Sequence, residues 1–255
     1  MKNILNFNRL NLMIRRQYAL SAKSWRIGFI ASVGINFAIS LLILFASSNP
    51  ATALQSLKVS LLITLVILGL VFISTSFKEL QDSQNAVSYL TLPASIFEKH
   101  LTAWLFTFPF YLILSTIVYE LTYLLLSVTT SVFYGTSISM VPVFTDDTLT
   151  FLLVAFIVHS IFFLGAAWFK KIAFFKTLLV LFIISLANDL WAFIWGSILL
   201  PVNSFAKNEF AFSGNLFVNQ EQFSHTLTTV MIVFMMMIAI LCLITSYFKL
   251  TEREG

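Results

Sequence analysis

The sequence contains few charged residues and almost no cysteine. Charged residues make up 10% of its 255 residues and hydrophobic residues 59%, whereas soluble domains have about 25% and about 45–50%. A soluble chain of this size cannot bury so much apolar surface, so the composition favours a protein that is solvated by lipid. The single cysteine, Cys242, excludes an internal disulfide framework, and a net charge of +4 without a basic tract argues against nucleic acid as a partner.

Two further absences limit the chemistry of the chain. No glycine is followed by lysine, which excludes a phosphate-binding P-loop. Three histidines and one cysteine without metal-ligand spacing argue against a metal centre or a catalytic site. The sequence therefore predicts no enzyme activity, no metal and no cofactor bound by this chain.

Long apolar stretches dominate the rest of the sequence. A helix needs about 20 apolar residues to cross about 30 Å of hydrocarbon, and six stretches meet this requirement. They are Ile27–Ala46, Val59–Phe77, Leu101–Val128, Phe151–Phe169, Ile172–Leu200 and Thr228–Phe248. We therefore predict an all-α membrane protein with six transmembrane helices. The third and fifth stretches are longer than needed, and either can tilt or continue as a short helix at the outer surface.

Lysine and arginine are unevenly distributed between the segments that join these stretches. With the N-terminus in the cytoplasm, the inner segments hold thirteen basic residues, whereas the outer segments hold only Lys58 and Lys207. Positively charged loops stay on the cytoplasmic side. The distribution predicts a multi-pass protein of the cell membrane, the inner membrane of a bacterium, with both termini cytoplasmic.

Residues 1–24 have the pattern of an amphipathic helix. The apolar residues on one side are Phe7, Leu10, Ile14 and Tyr18, and the cations opposite are Arg9, Arg16 and Lys23. This pattern predicts a cytoplasmic helix on the inner leaflet with its cations toward headgroups and water. The helix is either a lever toward a partner or a simple anchor. Residues 25–250 then form the transmembrane domain and residues 251–255 a cytoplasmic tail.

The loop at residues 78–100 has the most informative polar pattern. Asp82 or Ser83 can cap a short helix, and its weak apolar face includes Ala86, Val87 and Leu90. Pro93 then interrupts the helix. Ser95 and Glu98 have the spacing of a capping box, which predicts that a new helix begins there. On this pattern alone the segment can also be an ordinary helical loop.

Three groups of residues in this region form a recognisable pattern: Phe77-Lys-Glu79, Tyr89-Leu-Thr-Leu-Pro-Ala-Ser95 and Glu98-Lys99. Together they resemble the type-2 ABC (ATP-binding cassette) transporter permeases. Members of that family typically have an acidic residue after the second span, then leucine, two residues, proline, a small residue and serine, and a lysine where the third span begins. The six-span layout, the amphipathic N-terminal helix and the long fifth stretch are also similar. The chain differs at Gln81–Asn85, where the family often has Glu-x-Gly-Thr.

The resemblance implies the membrane-spanning permease subunit of an ATP-driven exporter. A separate nucleotide-binding ATPase subunit would dock on residues 78–100 and bind the ATP, and a second permease subunit, identical or related, would complete the transporter. The residues implied in ATPase coupling are Glu79, Val87, Tyr89, Leu90, Leu92, Pro93, Ser95 and Glu98. The alternative is a non-transporting membrane sensor, scaffold or immunity protein. The substrate is not readable from the sequence.

Ionisable side chains within the predicted spans are further candidates, because burying one at the bilayer centre costs at least about 2.5 kcal/mol. His159 is the nearest to the midplane, Glu120 lies toward the outer interface, and the depth of Asp189 depends on where the fifth span begins. Each is either a hydrogen-bonded contact between helices or a group on the substrate path.

Small and polar residues recur along one side of two predicted spans. They are Gly28, Ser32, Asn36 and Ser40 in the first span, and Ser185, Asp189, Ala192 and Gly196 in the fifth. Such stripes let helix backbones approach closely in lipid. Each stripe can face another helix of the same subunit, a second subunit or the translocation path.

Overall fold

The computed structural model describes residues 5–46, 50–81, 83–135, 148–199 and 220–254. Within these ranges the chain is helical and has no strand, which confirms the all-α class. The α-helices are α1 (Phe7–Ala46), α2 (Pro50–Ser74), α3 (Ser83–Leu90), α4 (Ile96–Leu105), α5 (Tyr111–Tyr134), α6 (Thr148–Trp168), α7 (Ala173–Leu199) and α8 (Gln220–Glu254). A 3₁₀ turn, Lys78–Gln81, precedes α3, and a π-helical segment, Phe106–Phe110, joins α4 to α5.

Among the described residues, five helical stretches are long and apolar enough to cross a membrane. They are Phe7–Ile43, Ile96–Tyr134, Leu149–Trp168, Ala173–Trp191 and Thr228–Arg253. The chain therefore has the helix lengths and composition of a multi-pass, all-α membrane protein. The apolar part of α2 is shorter, Lys58–Ser74, so the sixth span remains a prediction, as do the sides on which the termini lie.

The N-terminal segment and the first apolar stretch form one helix. α1 runs for 40 residues from Phe7 to Ala46, which corresponds to about 60 Å at 1.5 Å per residue. This length is about twice the hydrocarbon thickness of a bilayer. The predicted boundary between residues 24 and 25 is therefore not a break in the helix.

The third apolar stretch is also one continuous rod, built from α4, the π-helical segment and α5. Pro109 lies inside the π-helical segment, where the wider turn accommodates a residue that has no amide proton to donate. The rod extends past Val128 and ends at Gly135, whose φ of 66° places it in the left-handed region. This stretch therefore continues beyond its predicted end as the same helix.

Among the described residues, the largest buried apolar cluster lies where the segment at residues 78–100 meets the helix bundle. It joins residues from α1, α2, α3, α4, α6 and α8, together with the turns before α3. Its buried members include Met13, Ile73, Phe77, Leu80, Tyr89, Ala103, Phe163 and Leu250. Burial of this apolar surface fixes the segment against the ends of several long helices.

α6 and α7 approach each other closely next to this cluster. A Cβ atom added at Gly165 would lie 1.9 Å from Oγ1 of Thr177, so a larger residue here would force the Thr177 side chain or the helices to shift. Thr177 is itself buried and donates its hydroxyl to the carbonyl of Ala173 at 2.8 Å. The close contact keeps the start of α7 on the bundle.

Candidate functional site

The segment at residues 78–100 has the predicted order of a short helix, a proline break and a capped helix. α3 ends at Leu90, and the hydroxyl of Thr91 donates to the carbonyl of Val87 at 2.9 Å. The chain then passes through exposed Pro93 before α4 begins at Ile96. This part of the sequence prediction is confirmed. Asp82, proposed as a cap, and the side chains of Ser83 and Leu90 lie outside the described residues.

The capping box that starts α4 is complete. Ser95 has extended backbone angles, φ −71° and ψ 156°, and its hydroxyl accepts the amide proton of Glu98 at 3.1 Å. Oε2 of Glu98 accepts the amide proton of Ser95 at 2.8 Å. These two bonds satisfy backbone donors that the first turn of a helix leaves unpaired.

The other oxygen of Glu98 binds the N-terminal end of α1. Oε1 accepts the amide proton of Asn6 at 2.7 Å and lies 3.3 Å from the guanidinium of Arg9. The Glu98 side chain has no exposed surface. One buried carboxylate therefore joins the start of α4 to the start of α1.

A second ion pair lies farther along α1. Nη2 of Arg16 is 2.9 Å from Oε2 of Glu79, in the 3₁₀ turn. The Arg16 guanidinium also lies 5.9 Å from the ring centroid of Tyr89, and Nζ of buried Lys99 lies 5.5 Å from the same centroid. Both distances are within the range of cation–π attraction. Tyr89 is therefore buried between cations of α1 and α4.

The pattern of α1 did not predict the partners of Arg9 and Arg16. Both lie against the carboxylates of residues 78–100 rather than facing only water, whereas Lys23 is exposed as predicted. The predicted apolar side of α1 is divided, since Leu10 is buried and Ile14 packs against a buried cluster, whereas Phe7 and Tyr18 are exposed. Helical periodicity separates the two sides of α1, but it does not show that two acidic residues elsewhere in the chain approach the basic side.

The residues predicted to couple to an ATPase fall into two groups. Val87 and Pro93 are exposed, and 63% of Val87 is accessible. The other described residues of the set hold the segment in place, either in the buried cluster or in the hydrogen bonds above. They are Glu79, Tyr89, Leu92, Ser95 and Glu98. Within the predicted coupling set, this exposed pair is therefore the part that a partner can contact.

His159 makes the predicted hydrogen-bonded contact between helices. Its Nε2 lies 3.0 Å from Oγ1 of Thr107 in the π-helical segment, and 2% of the residue is exposed. Its ring lies 4.9 Å from the ring of Phe108 and 5.4 Å from that of Phe163, centroid to centroid. His159 thus joins α6 to the π-helical segment of the rod at Ile96–Tyr134.

The first-span stripe packs inside the chain, against α2. Ser32, Asn36 and Ser40 are buried, and Oδ1 of Asn36 accepts the Ser60 hydroxyl at 3.4 Å. A Cβ at Gly28 would lie 3.4 Å from the Cδ1 atom of Leu68, so Gly28 faces α2 as well. Of the readings open for this stripe, packing within one subunit is the one that the contacts support.

The fifth-span stripe is different. Ser185 and Asp189 are exposed on α7, and the side chain of Ala192 and the surroundings of Gly196 lie outside the described residues. Glu120 is half-buried on α5. These positions are not brought together with His159 or with residues 78–100.

Sequence reasoning missed a second set of contacts around the π-helical segment. The hydroxyl of Tyr111 donates to the carbonyl of Leu65 at 2.6 Å, and its ring fits against Gly69, where a Cβ would lie 2.7 Å from it. A further missed contact lies in α4, before the π-helical segment, where Nε2 of His100 is 2.8 Å from the hydroxyl oxygen of Ser246 on α8. Pro109 in the middle of an apolar stretch was the available signal, because a proline there forces a local change of helix geometry.

The described residues thus define a class of protein: an all-helical chain with the dimensions of a multi-pass membrane protein. At one end of its helix bundle, ion pairs and a buried apolar cluster hold a short helix, a proline break and a capped helix. No family model, no curated protein and no solved structure matches the chain. Function therefore has to be inferred from the site itself.

Proposed function

We propose that this chain is the membrane-spanning permease subunit of an ATP-driven ABC exporter and that residues 78–100 receive a separate ATPase subunit. The proposal rests on one observation: this segment has exposed residues, and other residues of the same segment hold it firmly against the helix bundle. Val87 and Pro93 are exposed. Glu98 and Glu79 form ion pairs with α1, and Tyr89 lies in the buried cluster, so these three residues hold the same segment in place. Such a segment transmits a displacement instead of absorbing it.

The buried cluster supplies a route from these exposed residues to the spans. Tyr89 of α3 belongs to the same apolar cluster as Phe163 of α6 and Leu250 of α8. The ion pairs of Glu98 and Glu79 add α1 to the connected elements. Because packed interiors have low compressibility, a push on α3 moves the ends of these helices together.

The proposed topology has six spans with both termini in the cytoplasm. The positive-inside distribution, thirteen basic residues against two, supports it. α2 has 25 residues, about 37 Å of helix, which supports counting it as a span although its most apolar part is short. Residues 78–100 then lie on the cytoplasmic side, where ATP is available.

The test is a charge placed at an exposed residue of this segment. Val87→Asp should leave folding and membrane insertion intact, because the side chain contacts no core, but it should remove the apolar contact with an ATPase. The full-length tagged chain is purified from its native host in mild detergent, and we measure copurified, vanadate-sensitive ATP hydrolysis per mole of chain. We expect at least a tenfold loss.

Val87→Ala is the matched control, because it shortens the same side chain without adding charge, and it should retain most of the hydrolysis. If wild-type chain carries no ATPase, or if Val87→Asp carries as much as wild type, the permease proposal is wrong. The first result would favour a non-transporting sensor, scaffold or immunity protein.

A further inference from the structure

A cleft runs between α1 and the rod at Ile96–Tyr134. Its volume is about 370 Å³, and Trp25, Phe29, Phe106 and Phe110 form much of its wall. A second, shallower cavity of about 410 Å³ shares Phe29 and Ile30 with it and continues along α1 to Gly34. The two cavities together make one groove on the flank of the bundle.

The two helices beside the groove run in the same direction. The ring of Trp25 lies 6.1 Å from that of Phe106, and farther along the ring of Phe45 lies 6.2 Å from that of Phe133, centroid to centroid. The two helices are therefore parallel, and residues later in α1 lie beside residues later in the rod. Position along the groove can then be compared with depth in a membrane.

Polarity changes along this direction. The early part of the groove contains the polar side chains of Tyr18, Ser21 and Arg26, and Arg26 is exposed. Beyond Arg26, the residues that line the groove are apolar as far as Gly34. This apolar part is about 12 Å long at 1.5 Å per residue, close to the depth of one leaflet's hydrocarbon, about 15 Å.

The charge of the polar end is positive. No acidic residue is among the described residues that line the groove. Lys23 is exposed one turn before Arg26 on the same helix. Basic residues next to a membrane-spanning segment attract anionic lipids.

One polar group in the wall has no protein partner. Trp25 is 8% exposed, and its indole Nε1 is buried without a hydrogen-bond acceptor among the described residues. A buried donor that remains unpaired costs about 1–3 kcal/mol. This unpaired donor belongs to the residue next to Arg26, at the polar end of the groove.

We infer that this groove is a binding site for an anionic phospholipid of the leaflet at its Arg26 end. The headgroup phosphate pairs with the Arg26 guanidinium and accepts a hydrogen bond from Ser21 or Tyr18, and an acyl chain lies along Phe29, Ile30 and Gly34. The groove is open on its outer side, so a lipid enters from the bilayer without passing through the bundle. The site depends on the chain lying in a membrane and is independent of the permease proposal.

The experiment is a lipid titration of the purified full-length chain, followed by native mass spectrometry. Phosphatidylglycerol and phosphatidylcholine with matched chains are the probes, and inorganic phosphate is a third arm. We expect one phosphatidylglycerol per chain to bind preferentially, and inorganic phosphate neither to bind nor to displace it. Arg26→Gln should weaken phosphatidylglycerol binding about fivefold, which corresponds to about 1 kcal/mol for one cation at the surface.

Arg15→Gln is the matched control, because Arg15 is an exposed arginine of the same helix that does not line the groove. It should bind phosphatidylglycerol like wild type, and Arg26→Lys should retain the preference if Arg26→Gln fails to fold. Equal affinities of the two glutamine variants would overturn the inference, as would equal binding of phosphatidylcholine or displacement by phosphate. If Arg26→Gln changes the oligomeric state but not lipid binding, a second copy of the chain covers the groove and the inference is wrong.

Discussion

Glu98 shows how much of the site depends on single atoms. One of its oxygens completes the capping box of α4, and the other receives the amide of Asn6 and the guanidinium of Arg9. A carboxylate without exposed surface is tolerated only when its oxygens are paired, because burying an unpaired charge costs several kcal/mol. The same residue therefore fixes where α4 begins and where α1 lies.

Glu98 substitutions separate these two roles. Glu98→Ala removes the cap and leaves Arg9 without its carboxylate, and we expect it to destabilise the protein by about 3–5 kcal/mol. Glu98→Gln retains an acceptor for the capping box but loses the charge, so its cost should be smaller, about 1.5–3 kcal/mol. The measurement is the midpoint of unfolding in detergent.

Glu79→Gln is the comparison for these variants, since its ion pair with Arg16 is about 30% exposed on both sides. Its cost should be at most about 1 kcal/mol. An unfolding midpoint of Glu98→Ala equal to that of wild type would show that the buried carboxylate does not hold α1 to α4.

At the scale of elements, the features that the sequence predicted best are those set by neighbouring residues. The serine–glutamate spacing at Ser95 predicts the start of α4 because the two side chains bond to backbone within one turn. Pro93 marks the break because it restricts its own backbone and that of the preceding residue. Both are local rules that need no tertiary contact.

The features that were not predicted depend on contacts between distant parts of the chain. Glu98 and Asn6 are 92 residues apart, and Arg16 and Glu79 are 63 apart, so no periodicity within α1 reveals either partner. A hydrogen bond from His159 to another helix was one of the two readings of the sequence, but its partner, Thr107, could be identified only from the fold. The long rod at Ile96–Tyr134 was underestimated because a hydropathy run ends where the apolar residues end, not where the helix does.

Pro93→Ala tests the role of the break between α3 and α4. The proline is exposed, so the substitution removes no core contact, but it frees one backbone dihedral in the joint between α3 and α4. In the permease proposal this variant should bind the ATPase at wild-type stoichiometry and hydrolyse ATP several-fold more slowly. Val87→Asp should differ from it by binding little ATPase. Wild-type hydrolysis by Pro93→Ala would mean that the joint does not transmit motion.

At the scale of the whole molecule, the central claim is that residues 78–100 form a cytoplasmic platform for a partner. Two valines at opposite ends of the proposed topology allow a matched comparison. Val87 is 63% exposed on α3, and Val132 is 80% exposed near the end of α5, beyond the predicted third span. Both have room for a reactive cysteine without disturbing a core.

The most direct measurement is the reaction of Val87→Cys and Val132→Cys with a membrane-impermeant thiol reagent, in a chain whose Cys242 is replaced by serine. We predict that Val132→Cys reacts in intact cells, whereas Val87→Cys reacts only after the membrane is permeabilised and more slowly while the ATPase remains bound. Rapid labelling of Val87→Cys in intact cells would place the platform outside the cytoplasm and contradict the account.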